Sequence, residues 1–154
     1  MLNWMILPIK RYAEFTGRSR RMEYWSFALL NILVWAVLFG IRISSGGFAE
    51  LRAATENGGV FAVYGYLFSG IGSLLALWAL ATFVPNIAVN VRRLHDRDMS
   101  GWWYLGAFIA GMIPLVGWII SLAYLVLMFL PGTPGPNRFG PDPKDPSAGA
   151  DVFS

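Results

Sequence analysis

Residues 24–43 read YWSFALLNILVWAVLFGIRI. This is about 20 nearly unbroken apolar residues, and about 20 are needed for a helix to cross a hydrocarbon core near 30 Å thick. Asn31 is the one strongly polar interior residue, and Arg42 sits near enough the end to carry its charge to the headgroups along an apolar stem. The stretch predicts a transmembrane helix, and the rest of the chain is read outward from it.

Composition agrees. Of 154 residues, 56% are hydrophobic and 14% charged, against about 45–50% and 25% in an ordinary soluble domain. Seven tryptophans and a mean hydropathy of +0.52 point the same way. A soluble domain of this size buries only about two-thirds of its unfolded surface, too little to hide so much apolar area, so the bilayer is the expected solvent. The absence of cysteine excludes disulfides, thiolate zinc sites and thiol nucleophiles. The opening MLNWMILPIK has its charge after the apolar residues and no small-residue cleavage site, so it is expected to stay in the mature protein.

Two further apolar stretches follow. Residues 60–89 carry no charge; as a helix of about 30 residues they would measure roughly 45 Å, and must tilt, kink at Pro85 or project beyond the core. Residues 102–130 are interrupted by IPLVGW, 113–118, whose Pro114 and Gly117 predict a tight turn. The predicted fold is therefore an all-α integral membrane protein, a single membrane domain over 1–144. It has four transmembrane or membrane-embedded helices, at about 24–43, 60–89, 101–113 and 115–130, the last two a short hairpin. Three crossings, with 102–130 as one tilted helix, is the alternative. PIKRYAEF, 8–15, reads either as a short helix in the headgroup plane or as a partly ordered arm, and residues 145–154 read as a disordered tail.

Charge orients the helices. Lys10, Arg11, Arg18, Arg20 and Arg21 precede the first, and Arg92, Arg93 and Arg97 follow the second; the intervening loop has only Arg52 against Glu50 and Glu56. The positive-inside rule places the N-terminus and the 91–103 connector in the cytoplasm. A fourth helix would bring the C-terminus there as well.

The connector VRRLHDRDMSGWW, 91–103, holds the only histidine. His95-Asp96 is a metal-ligand pair in some phosphohydrolases, but with no second histidine and no cysteine no metal is expected. No nucleophile-elbow, Walker or dinucleotide glycine pattern is present, so no cofactor and no catalytic residue is expected. The structural reading is strong: Arg92 and Arg93 end a helix where cations suit the carbonyls, Asp98 or Ser100 caps the next one, and Trp25, Trp102 and Trp103 sit as headgroup anchors. Thr82, Asn86, Asn90 and Arg93 form a polar stripe, with Asn31 and Glu23 as candidate partners. It reads either as helix-to-helix glue or as a polar cleft. Gly65, Ser69 and Ser73 form a small-residue face for close packing.

Three segments, FTGRSRRMEYW (15–25), RRLHDRDMSGWW (92–103) and PGTPGPNRFGPDP (131–143), together resemble the small bacterial inner-membrane proteins grouped as the domain of unknown function 805 family. The likeness runs from about Tyr12 to Lys144, with one departure at Arg97-Asp98-Met99, where relatives often have a Thr-Gly-Arg-like turn. It implies a multi-pass location in the bacterial cytoplasmic membrane and brings no activity with it.

The segments are expected to form one cytoplasmic cap. Glu23 would pair with Arg92 or Arg93; Asp96 would orient His95 or pair with Arg20, Arg21 or Arg138; Asn86, Asn90 and Asn137 would join the network; and the tail would cross as a strap. The expected function is non-enzymatic. Arg18, Arg20, Arg21, Arg92, Arg93, His95 and Arg138 would bind anionic lipid headgroups, a small anionic ligand or a protein partner. The alternative is a membrane-integral enzyme or carrier using His95 and Asp96 for proton transfer. The expected partner is the lipid bilayer, homo-oligomerisation is open, and nucleic acid is not expected, since the membrane surface accounts for the basic residues.

Overall fold

The computed structural model describes residues 1–145. Among these every regular element is helical: α1 Leu2–Lys10, α2 Arg21–Arg42, a π turn Ile43–Gly47, α3 Phe48–Asn57, α4 Gly59–Leu67, α5 Ile71–His95, α6 Trp102–Gly111 and α7 Val116–Phe129. One isolated antiparallel bridge joins Asn137 and Gly140. Most of the tail expected at 145–154 lies outside the described residues.

Two helical runs are long and apolar enough to cross a membrane, Arg21–Glu56 and Ile71–His95. In α2 no proline or glycine breaks the pattern before Gly40, and Glu23 in the first turn faces the positive end of the helix. At the end of α5, Arg92, Arg93 and His95 occupy the last turn, where the unpaired carbonyls favour cations. The polarity of the packing is inverted. The buried set contains Arg18, Glu23, Arg92, Arg93 and Asp96, while Leu80, Phe83, Trp118 and Ile119 are 63–84% exposed. In water so many exposed large apolar side chains would drive association; in lipid they face their solvent.

Several sequence expectations are corrected. The single helix over 60–89 is two, α4 and α5, separated at Phe68–Gly70, where Gly70 takes φ +51. Ser69 and Gly70 are the breaker that the apolar run concealed. As the apolar run suggested, α5 passes through Pro85 and continues ten residues beyond it to His95. The N-terminal helix precedes Tyr12 and contains Pro8, instead of starting at it. The loop that carries Glu50, Arg52 and Glu56 folds as the π turn and α3, with Gly46 at φ +89. At 113–118 the expected turn is present, with Leu115 at φ +67, and α6 and α7 pack against each other across it.

The chain divides into two compact units, Met1–Phe27 with the chain from Val84 onward, and Ala28–Phe83. The first contains all three polar segments. The second contains most of α2, the π turn, α3, α4 and the first half of α5; within it Trp78 Nε1 donates to Asn31 Oδ1 at 3.2 Å.

Candidate functional site: a buried arginine–carboxylate cap

Residues 92–96 leave α5 as a tight cluster of charge, with Arg92 and Arg93 fully buried and Asp96 3% exposed. Neighbouring residues on a helix point about 100° apart, so the two guanidiniums find different partners. Arg92 Nη2 meets Glu23 Oε1 at 2.7 Å, and its Nη1 donates to the Glu14 carbonyl. Arg93 Nη1 donates to Asp96 Oδ2. The other Asp96 oxygen takes Arg18, whose Nε lies 3.1 Å and Nη2 3.0 Å from Oδ1.

Three arginines against two carboxylates leave a surplus positive charge, and main-chain carbonyls absorb it. Arg18 donates to the carbonyls of Gly135 and Thr133, both at 2.6 Å. Arg93 donates to those of Met128 and Leu130, Arg21 to that of Phe129 at 3.2 Å, and Arg97 to that of Pro131. The last carbonyls of a helix have no partner within it. The end of α7 and the chain just beyond it are thus capped by three arginine side chains, and this accounts for much of the arginine density.

The segment 131–143 lies across the cluster. Thr133 N donates to the Asp96 carbonyl at 2.8 Å, and Asn137 Nδ2 to the His95 carbonyl at 2.9 Å. Phe139 stacks on the His95 ring at 3.9 Å with 4° between planes. Gly132 is pressed so closely on the Asp96 carboxylate that a Cβ there would overlap it. Asp142 accepts the N–H of Lys144 at 2.9 Å and of Gly135 at 3.1 Å, and these, the Lys144 bond first, hold its carboxyl below the usual range. On the N-terminal side the Arg11 side chain, bonded to Glu14 at 2.6 Å, lowers that carboxyl too.

The segments 15–25, 92–103 and 131–143 therefore meet, and Glu23 pairs with Arg92, not Arg93. Asp96 departs from expectation: it touches none of Arg20, Arg21 and Arg138 and does not orient His95. The His95 Nδ1 is held instead by the Gly17 carbonyl at 3.1 Å, so the histidine–aspartate pair that proton transfer would use is not formed. Arg20 reaches the Pro143 carbonyl and the Trp4 ring, and Arg138 pairs with Asp98 at 3.1 Å. Asn90 donates to the Asn86 carbonyl and accepts the Tyr124 hydroxyl at 2.9 Å, which makes Tyr124, missed in the sequence, a partner of Asn90. Trp25 is not a free headgroup anchor: it stacks on Phe129 at 4.0 Å. Trp102 and Trp103 are exposed. Gly101 stands at the cap position of α6 without a side-chain cap, and Ser100 Oγ lies 3.4 Å from the Trp102 N–H.

Bilayer-length apolar helices together with a buried ionic cluster at the end of one of them fit an integral membrane protein. The sequence pattern of the family described as "Protein of unknown function (DUF805)" matches residues 12–141, and the chain belongs to that family. It is 38% identical over 143 residues to "Inner membrane protein YhaH" of Escherichia coli (strain K12), covering 93% of this chain and 98% of that one. It is 36% identical to "Inner membrane protein YhaI" of the same strain, covering 93% and 97%. With "Uncharacterized protein YiiR" it shares 33% over 156 aligned positions, covering 90% and 91%. No solved structure matches the chain.

Proposed function

We propose that the protein is a non-enzymatic, multi-pass protein of the bacterial inner membrane. Its cytoplasmic cap is a rigid clamp, and anionic headgroups meet only the clamp's outer cations. The observation that carries this reading is the engagement of Arg18, Arg92 and Arg93, each at most 5% exposed and bonded to carboxylates or carbonyls. Such groups have no charge to spare for a ligand. Lys10 and Arg21 are exposed; Arg21 gives one donor to the Phe129 carbonyl, and both keep charge open to headgroups. The inner-membrane names of the relatives and the excess of basic residues on one side of the apolar helices support the location and orientation.

The test is native mass spectrometry in gentle detergent with added phosphatidylglycerol, comparing wild type with a Lys10→Ala/Arg21→Ala variant. The variant is expected to retain anionic lipid less well, about fivefold per charge at roughly 1 kcal/mol each, while its stability falls by no more than the one exposed bond from Arg21 to the Phe129 carbonyl contributes, about 1 kcal/mol. Equal lipid retention by the two proteins refutes the headgroup reading.

A further inference from the structure

The far end of α2 carries a second charged site. At about 1.5 Å per residue, α2 is roughly 33 Å long, so Arg42 lies one hydrocarbon thickness from Arg21, at the depth of the opposite headgroups. The sequence suggests that its side chain carries its charge along an apolar stem to the headgroups. In the structure that side chain is folded onto the protein: it is 9% exposed, and its guanidinium lies over the Tyr66 ring at 4.2 Å.

All of its polar contacts come from one nitrogen. Nη2 donates to the Tyr66 carbonyl at 3.1 Å and to Ser69 Oγ at 3.4 Å, and lies 3.2 Å from Glu50 Oε2. Among the described residues, Nε and Nη1 have no hydrogen-bond partner. Arg42 and Tyr66 both line a cavity of about 280 Å³, whose other walls include Trp35, Phe39, Phe68, Leu75 and Ala76. Apart from Arg42, its lining is apolar or aromatic. The break at Phe68–Gly70, where the sequence predicts continuous helix, brings Tyr66 and Ser69 to the arginine.

We propose that this is a binding site for an anionic phospholipid, with its phosphate on the free edge of Arg42 and one acyl chain in the cavity. A planar guanidinium presents paired donors that match phosphate oxygens. The apolar and aromatic walls beside Arg42 accept a hydrocarbon tail, which a free soluble anion lacks. Glu50 is the resident counter-ion. Its side chain is 56% exposed, and such half-exposed pairs contribute little, so a phosphate displaces it readily.

The experiment uses the full chain with Lys10 and Arg21 already replaced by alanine, so that lipids at the cap do not contribute. Retained phosphatidylglycerol is counted by native mass spectrometry, with diacylglycerol of the same chains in parallel. Glu50→Gln removes the competing carboxylate from an exposed surface and is expected to raise phosphatidylglycerol retention about two- to fivefold, the range that loss of an exposed ion pair allows. Ala76→Phe fills the slot and is expected to lower retention about tenfold, as loss of a buried apolar contact would. Diacylglycerol retained as well as phosphatidylglycerol, or Glu50→Gln without a gain, overturns the proposal. Failure of the cap reading leaves both responses in place, because Lys10 and Arg21 are absent from every sample.

Discussion

Arg92 and Arg93 are adjacent in the chain, yet one belongs to Glu23 and the other to Asp96. Taking one partner out of a buried pair strands the other, at about 3–5 kcal/mol. Arg92→Met and Glu23→Gln are each expected to destabilise the detergent-solubilised protein by that order, and the double variant by at least about 1 kcal/mol less than the sum, since contacting residues couple. Arg93→Met with Glu23→Gln, a pair equally plausible from the sequence, is expected to be additive within about 0.5 kcal/mol. Equilibrium unfolding of the three single and two double variants decides between them. The sequence shows that a carboxylate must neutralise this arginine pair, because buried cations need partners. It does not show which, because Glu23 and Arg92 are 69 residues apart and a single helical step chooses between neighbours. Asp96 misleads for the same reason: its place beside His95 suggests a catalytic pair, while its carboxylate turns to Arg18 and Arg93.

At the scale of elements, the strap over the cap is held by close backbone approach as much as by side chains. Gly132→Ala places a methyl group against the Asp96 carboxylate, and overpacking of this kind costs about 1–3 kcal/mol. The variant is expected to be cut by protease within 131–143 well before wild type; unchanged cleavage would mean that the strap absorbs the methyl group. The Asp142 carboxyl, lowered by its bonds to the Lys144 and Gly135 N–H groups, stabilises the strap only when ionised. Its contribution is complete above the ordinary carboxylate range and is lost as pH falls through the lowered value. Wild-type cleavage should therefore rise on acidification below about pH 4, and an Asp142→Asn variant should lack that added dependence. The long apolar runs and the turn at 113–118 are legible because hydrophobic length and Pro-Gly chemistry are local signals. The break at Ser69-Gly70 is hidden because an isolated glycine also fits a membrane helix, and only the left-handed Gly70 reveals the turn.

For the whole molecule, the open matter is how often the chain crosses the bilayer, and α6 and α7 decide it. They have 10 and 14 residues, about 15 and 21 Å of helix, against a hydrocarbon core near 30 Å. Neither reaches across alone, and the segment after α7 is bonded to Arg18, Asp96 and Asp98, on the side where α2 begins and α5 ends. A hairpin dipping into the membrane from the cap side satisfies both facts, whereas a single crossing through 102–130 would carry 131–143 to the opposite face. The cysteine-free chain is a ready background for impermeant maleimide labelling of single-cysteine variants in oriented membranes. Lys10→Cys and Lys144→Cys are expected to label only from the cytoplasmic side, and Thr55→Cys only from the outside. Leu115→Cys, at the hairpin tip, is expected to label from neither side while the lipid-facing tip stays in hydrocarbon. Labelling of Leu115→Cys from outside, with Lys144→Cys still cytoplasmic, would make the hairpin two full passes thinned by local bilayer adaptation. Labelling of Lys144→Cys from outside would restore the three-crossing arrangement and would be incompatible with a strap bonded to Arg18.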